Sequence, residues 1–162
     1  MAVKRGAAPE SKSGDRTITY NRQAHHDYLI RETVEAGMVL TGTEIKSIRA
    51  GLVNLREAYA RAEKDGMWLH NLHIAQYAQG NRWNHEPTRV RKLLLHKQQI
   101  RDLLQKTKSR GLTLVPLRLY IARDRAKIEL ALAQGKKIYD KRQSMAEREA
   151  QREIERSVKV RR

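Results

Sequence analysis

The sequence predicts a mainly β protein with short helices, folded as a small closed antiparallel barrel and followed by a basic C-terminal tail. Three observations carry this. About five to seven short runs alternate, at least in part, between apolar and polar residues, and they are separated by breaks rich in Gly, Asn and Asp. The helical patterns between them are brief, which suits helices at the edges of a barrel. From Lys136 onward the period becomes helical, cations dominate, and Leu, Phe and Trp are absent.

Residues 1–16 mix Ala, Gly, Pro, Ser and charges without apolar periodicity and read as a flexible basic arm. The barrel is expected over residues 17–133. Asn21 ahead of Arg22-Gln23-Ala24-His25-His26 predicts one or two helical turns, because an Asn side chain accepts from the orphan amides of a first turn. Tyr28-Leu29-Ile30 and Met38-Val39-Leu40 flank Glu35-Ala36-Gly37 and predict a bent pair of strands, with Gly37 at the bend. In Gly42-Thr43-Glu44-Ile45-Lys46-Ser47-Ile48-Arg49-Ala50-Gly51, Ile45 and Ile48 lie three apart, as do Lys46 and Arg49. That spacing suits a short helix stopped by Gly51.

Residues 52–62 partly alternate, and Lys64-Asp65-Gly66 predicts a hairpin turn into a strand that starts at Met67-Trp68-Leu69 and runs to Ala75. Residues 80–87 form a loop. Lys92-Leu93-Leu94-Leu95 fits a strand or the start of a helix, Ile100, Leu103 and Leu104 have helical spacing, and Gly111 follows as a stop. Residues 113–120 alternate strongly, with Pro116 arguing for an edge or bulged position. Asp124-Arg125 turns the chain into the period-two strand Lys127-Ile128-Glu129-Leu130-Ala131-Leu132, which Gly135 ends.

Residues 134–162 are expected to be disordered when free and to become helical on binding. Ala146, Ala150, Ile154 and Val158 recur every four residues, while Arg148, Arg152 and Arg156 recur every four on nearly the opposite face. Burial is worth about 25 cal/mol per Å² of apolar surface, and this segment has too little of it to join a core unaided. Neighbouring arginines repel, so an anionic groove would order the helix.

A chain of 162 residues builds one core, and 34 Lys and Arg against 18 Asp and Glu leave a formal charge of +16 that points to a polyanionic partner. The absence of Cys removes disulfides, thiolate nucleophiles and cysteine-ligated metals. His25 and His26 point about a hundred degrees apart on a helix, and His70 and His73 fall on opposite strand faces, so neither pair suits a metal. Glu32 and Glu35 also face opposite sides of a strand and show no basic partner in the sequence. Phosphate-cradling glycine loops and the serine elbow are missing. No catalytic residue, metal, cofactor or small-molecule substrate is therefore expected, and no apolar run suggests a membrane span or leader, which leaves a cytoplasmic protein as the expectation. Arg82, Trp83, Asn84 and His85, then Arg89, Arg91 and Lys92, place cations beside a ring, a combination suited to unpaired RNA or DNA. Two readings of Trp83 stay open: base stacking, or anchoring of its own loop.

Five strings occur in order: Asn21-Arg22-Gln23-Ala24; Glu35-Ala36-Gly37; the segment from Gly42 to Gly51 quoted above; Pro87-Thr88-Arg89-Val90-Arg91-Lys92-Leu93-Leu94-Leu95; and Gly135-Lys136-Lys137-Ile138-Tyr139-Asp140-Lys141-Arg142. Together they closely resemble the small protein B (SmpB) family, the SsrA-binding proteins of bacterial trans-translation, from about Thr17 to the C-terminus. The resemblance implies an oligonucleotide-binding (OB) fold that grips the tRNA-like domain of transfer-messenger RNA (tmRNA), and no catalysis. It also implies a tail that enters the small-subunit decoding centre and the vacant mRNA channel of a stalled ribosome, against rRNA. Asn21, Glu35 and Leu94 then fall at positions important for tmRNA binding, and Lys46, Arg49 and Lys92 lie in the same motifs, with Arg91 beside them as a further cation. Asp140-Lys141-Arg142 matches the tail motif, with Tyr139 before it where some relatives have His. Gly135, Lys136, Lys137, Arg148, Arg152 and Arg156 complete the expected ribosome-binding tail, on a protein expected to be monomeric when free. The alternative is a ribosomal or ribosome-assembly RNA-binding protein with an OB-like body.

Overall fold

The computed structural model describes residues 15–108 and 111–160, so nearly all of the expected basic arm lies outside the described residues. β1 (Arg16–Tyr20) leads into α1 (Arg22–Asp27), β2 (Tyr28–Met38) and α2 (Gly42–Arg49). The short β3 (Val53–Asn54) precedes the hairpin of β4 (Tyr59–Glu63) and β5 (Gly66–His70), and β6 (His73–Ile74) pairs back with β3. β7 (Arg91–Leu94), α3 (Lys97–Thr107), the long hairpin β8 (Leu112–Ala122) and β9 (Arg125–Gly135), and α4 (Ile138–Val160) complete the chain.

The main sheet runs β1-β8-β4-β5-β7-β2-β9, and β9 also pairs with β8, so six of its strands close into an antiparallel ring. Its interior holds Ala36, Met67, Leu69, Leu93, Leu114, Leu119, Ile128, Leu130 and Leu132. Ile48 of α2 and Leu103 of α3 belong to the same cluster. Ala131 and Ala133 point to the other face of β9, where they pack with Val115, Leu117 and Ala24 of α1. The alternating strand is thus buried on both faces, because α1 covers the side that alternation alone would leave wet.

Several local signals act as their chemistry requires. Asn21 Oδ1 accepts from the Ala24 amide at 3.2 Å and starts α1. Gly51 adopts φ +78° just past α2, a conformation that costs a residue with a Cβ. Glu63 pairs with Gly66 across the Lys64-Asp65 turn. The β8–β9 turn is made by Arg123 and Asp124, both at positive φ, one residue earlier than the sequence places it.

Other expectations change. The bent strand pair is one eleven-residue strand, β2, whose irregularity falls between Ile30 and Glu32 and not at Gly37. The strand from Met67 stops at His70, because Asn71 takes φ 56° and redirects the chain into β6. α3 ends at Thr107, before Gly111. Pro116 does sit at a bulge, between itself and Arg118 opposite β9, but β8 is central and not an edge. The end of β9 does fall where expected, at Gly135, which pairs with Tyr28.

Candidate nucleic-acid interface

Asn21 is only 6% exposed, and its amide works inward. Nδ2 donates to the Leu55 carbonyl at 3.3 Å and to the Pro116 carbonyl at 3.1 Å. One side chain therefore fastens α1 to the segment before β4 and to the β8 bulge. Asn21 shapes the surface around it and offers a ligand little of its own.

Gly37 and Leu94 are paired across β2 and β7, and a Cβ on Gly37 would stand 3.3 Å from the Leu94 Cβ. The missing side chain lets the Leu94 side chain lie close over β2, where it remains 54% exposed. Val39, whose amide donates to the Lys92 carbonyl, and Val90 are also about half exposed. Lys92 reaches outward from the same strand, its Nζ 5.6 Å from the centre of the Trp68 ring. Glu35, two residues before Gly37, is exposed and accepts from Lys127 Nζ and from the Tyr120 hydroxyl. Burial, and then that bond to Glu35, push the Tyr120 hydroxyl well above the usual phenol range. Glu35 thus has a basic partner, supplied by β9, and Glu32 has one in Lys106 of α3. Both correct the sequence reading, which looked only along the chain.

Arg91, expected among the RNA-binding cations, has no exposed surface. Its Nε donates to Glu44 Oε1 at 2.8 Å, and its two terminal nitrogens donate to the carbonyls of Leu72, Arg89 and Pro87. A guanidinium so enclosed cannot reach phosphate; it holds the turn before β7 against α2. Glu44 is equally buried. Oε1 also accepts from Arg89 Nε at 2.7 Å, while Oε2 accepts from Arg89 Nη2 at 2.6 Å and from the Thr41 amide at 2.8 Å. Burial would raise its pKa, but the Arg89 bond, the Thr41 amide and the charge of Arg91 outweigh it and hold the carboxyl at about 2. Thr41-Gly42-Thr43-Glu44 has the spacing of a capping box, and that was the signal by which Glu44 could have been found.

The other two expected cations stay outside. Lys46 of α2 is exposed, with Nζ 5.3 Å from the Tyr77 ring centre, and exposed Arg49 makes only a loose 3.8 Å contact to Asp124 at the β8–β9 turn. Of the residues expected to bind tmRNA, Lys46, Arg49, Lys92, Leu94 and Glu35 therefore remain on the surface. Trp83 joins them, being 80% exposed and so no anchor of its own loop. Lys127 and Tyr120 are the partners that sequence reasoning missed.

Lys136 fixes where the tail departs: its amide donates to the Asp27 carbonyl at 2.9 Å and its Nζ to the His25 carbonyl at 3.2 Å. Lys137 is exposed. Tyr139, Asp140 and Lys141 lie in the first turn of α4, and their side chains are outside the described residues. Arg142, Arg148, Arg152 and Arg156 are exposed, as is every side chain from Met145 to Ile154, so this stretch of helix spends little surface on the body.

Among the described residues no group of three or more His, Asp or Glu could hold a metal, and no helix is long and apolar enough to cross a membrane. His85 is 7% exposed, with Nε2 3.0 Å from the Ile74 carbonyl and Nδ1 2.9 Å from Thr43 Oγ1. Since a carbonyl only accepts, Nε2 donates to Ile74, and the ring is held between β6 and α2 in a structural arrangement. His70 stacks on Tyr59 at 5.1 Å between ring centres.

Such a fold and surface define a small basic β protein of the polyanion-binding class, in which cations and rings are displayed around a ring of strands. The family model described as SmpB protein matches residues 18–160. The SsrA-binding protein of Geobacillus kaustophilus is 58% identical over 150 residues, covering 93% of this chain and 97% of that protein. The SsrA-binding protein of Carboxydothermus hydrogenoformans is 58% identical over 147 residues, covering 91% and 99%. A solved chain from the structure described as "tmRNA-SmpB: a journey to the center of the bacterial ribosome" is 52% identical and superposes with a TM-score of 0.64 over 74% of this chain and 85% of that one. The chain belongs to the SmpB family.

Proposed function

We propose that this chain binds the tRNA-like domain of tmRNA and delivers it to stalled ribosomes for trans-translation, acting in the cytoplasm by binding and not by catalysis. The observation that carries the reading is the exposed face at β2 and β7, where the Gly37 gap brings Leu94 over the strand that bears Glu35, with Lys92 alongside. Apolar contact there suits a sugar or base, Lys92, Lys46 and Arg49 suit phosphates, and the Glu35 carboxylate orients Lys127 or meets a base edge. Asn21 supports the neighbouring surface from below. The naming of the SsrA-binding relatives agrees with this assignment.

In this reading the closed strand ring is an OB-fold-like barrel, and the tail orders as a helix on the ribosome. The tail would lie in the decoding centre and the vacant mRNA channel, with Tyr139, Asp140, Lys141 and Arg142 near its entrance and Arg148, Arg152 and Arg156 along rRNA. The exposure of the described tail arginines supports this role, since cations not used by the body are available to phosphate.

Competition binding tests it. Labelled tmRNA should be displaced by its own tRNA-like domain and poorly by tRNA or rRNA fragments. Binding should also weaken by roughly 0.7 to 0.9 log units per tenfold salt for each phosphate contact. Equal competition by bulk rRNA would favour a ribosomal or assembly protein instead.

A further inference from the structure

Large rings usually leave water, so an indole left 80% exposed on a well-defined loop is informative. The loop around it is clamped at both ends. Asn84 Oδ1 accepts from the Tyr77 amide at 2.9 Å, and Asn84 Nδ2 donates to the Tyr77 carbonyl at 2.6 Å. The Gly80 amide donates to that carbonyl at 2.8 Å, and the Trp83 amide donates to the Gly80 carbonyl at 3.1 Å, closing the 3-10 turn Asn81–Trp83. A Cβ on Gly80 would fall 2.8 Å from Asn84 Nδ2 and 3.1 Å from the Tyr77 carbonyl oxygen, so a larger residue there would press on the clamp. Buried His85 then ties the far end to α2 and β6 through Thr43 and the Ile74 carbonyl.

The surroundings choose the partner. The Arg82 guanidinium lies 5.8 Å from the Trp83 ring centre, and Lys46 stands over Tyr77 in the clamp. Residues 75–85 contain no Asp or Glu. A pre-set ring beside cations, with the loop's one carboxylate, Glu86, three residues away beyond His85, matches a base-stacking platform flanked by phosphate contacts. We propose that Trp83 stacks on an unpaired base of the RNA this protein binds, with Arg82 and Lys46 meeting the adjoining phosphates. The proposal rests on the RNA-binding reading above and adds a contact on the α2 side of the molecule.

The protein has two tryptophans, so Trp68→Phe leaves Trp83 as the only indole. Its emission and its accessibility to acrylamide are measured in the full chain, free and saturated with transcribed tRNA-like domain of tmRNA. RNA should quench the emission and shield the ring. Against the Trp68→Phe parent, adding Trp83→Ala should weaken RNA affinity by roughly 5- to 150-fold, and Trp83→Phe should keep most of it. An indole as accessible in the RNA complex as in the free protein, or unchanged affinity in Trp83→Ala, overturns the proposal while leaving RNA binding intact. Shielding on whole ribosomes but not on this RNA would place the ring against another surface and overturn stacking equally. Failure of the unmodified chain to bind the RNA at all would instead remove the functional reading, and this contact with it.

Discussion

Arg91 Nε lies 2.8 Å from Glu44 Oε1, both side chains are fully buried, and 47 residues separate them in the chain. This pair, with Arg89, joins α2 to β7 and so sets where Lys46, Arg49, Lys92 and Leu94 stand relative to one another. Removing one member strands a charge in the interior. Arg91→Ala and Glu44→Gln should each cost about 3–5 kcal/mol of stability in urea denaturation, and a loss below 1 kcal/mol would contradict the buried-pair account.

The same carboxyl gives a pH signature. Its folded pKa of about 2 lies below its ordinary value of 4.5, so its contribution is complete above about pH 4.5 and is lost as pH falls toward 2. The shift corresponds to about 3 kcal/mol. The stability difference between the unmodified protein and Glu44→Gln should therefore narrow steadily across that window. A difference that stayed constant from pH 6 to pH 2.5 would show that Glu44 does not titrate as described.

Leu94 and Gly37 should separate binding from folding. Because Leu94 is half exposed, Leu94→Ala should change stability by less than about 1 kcal/mol yet reduce affinity for tmRNA by roughly 5- to 20-fold. Gly37→Ala should weaken binding in the same direction, since the new Cβ presses on Leu94 at 3.3 Å. Both variants are compared by filter binding at one fixed salt concentration. Full affinity in both would remove this face from the interface.

If Glu35 acts by holding Lys127, the two should be coupled. Glu35→Ala and Lys127→Ala should each reduce the preference for tmRNA over tRNA, and the double variant should lose less than the two losses added together. Strict additivity would mean that Glu35 meets RNA independently of Lys127.

Body and tail should divide the work. Truncation after Lys137 keeps the Lys136 bonds to α1. It should leave tmRNA affinity within about twofold, the size expected when exposed contacts away from the interface are lost, while abolishing tagging on ribosomes stalled on truncated message. Reversing Arg148, Arg152 and Arg156 to Glu should reproduce most of the defect, because the helix would then repel rRNA. Tagging that survives either change would refute the role given to the tail.

What the sequence determined alone was local: the Asn21 cap, the Gly51 stop, the Lys64-Asp65 turn and the bulge at Pro116 each follow from one residue's allowed backbone and hydrogen bonds. It also carried the charge that demands a polyanion, and the ordered strings that mark the family. The tertiary structure alone decided which cations face water. Arg91 and Lys92 are neighbours with the same charge, yet strand alternation sends one inward to Glu44 and the other outward beside Trp68. Glu35 meets Lys127 because β2 and β9 pair in one register across 92 residues. Register and burial are set by strands distant in sequence closing into a ring, so no window along the chain contains both partners.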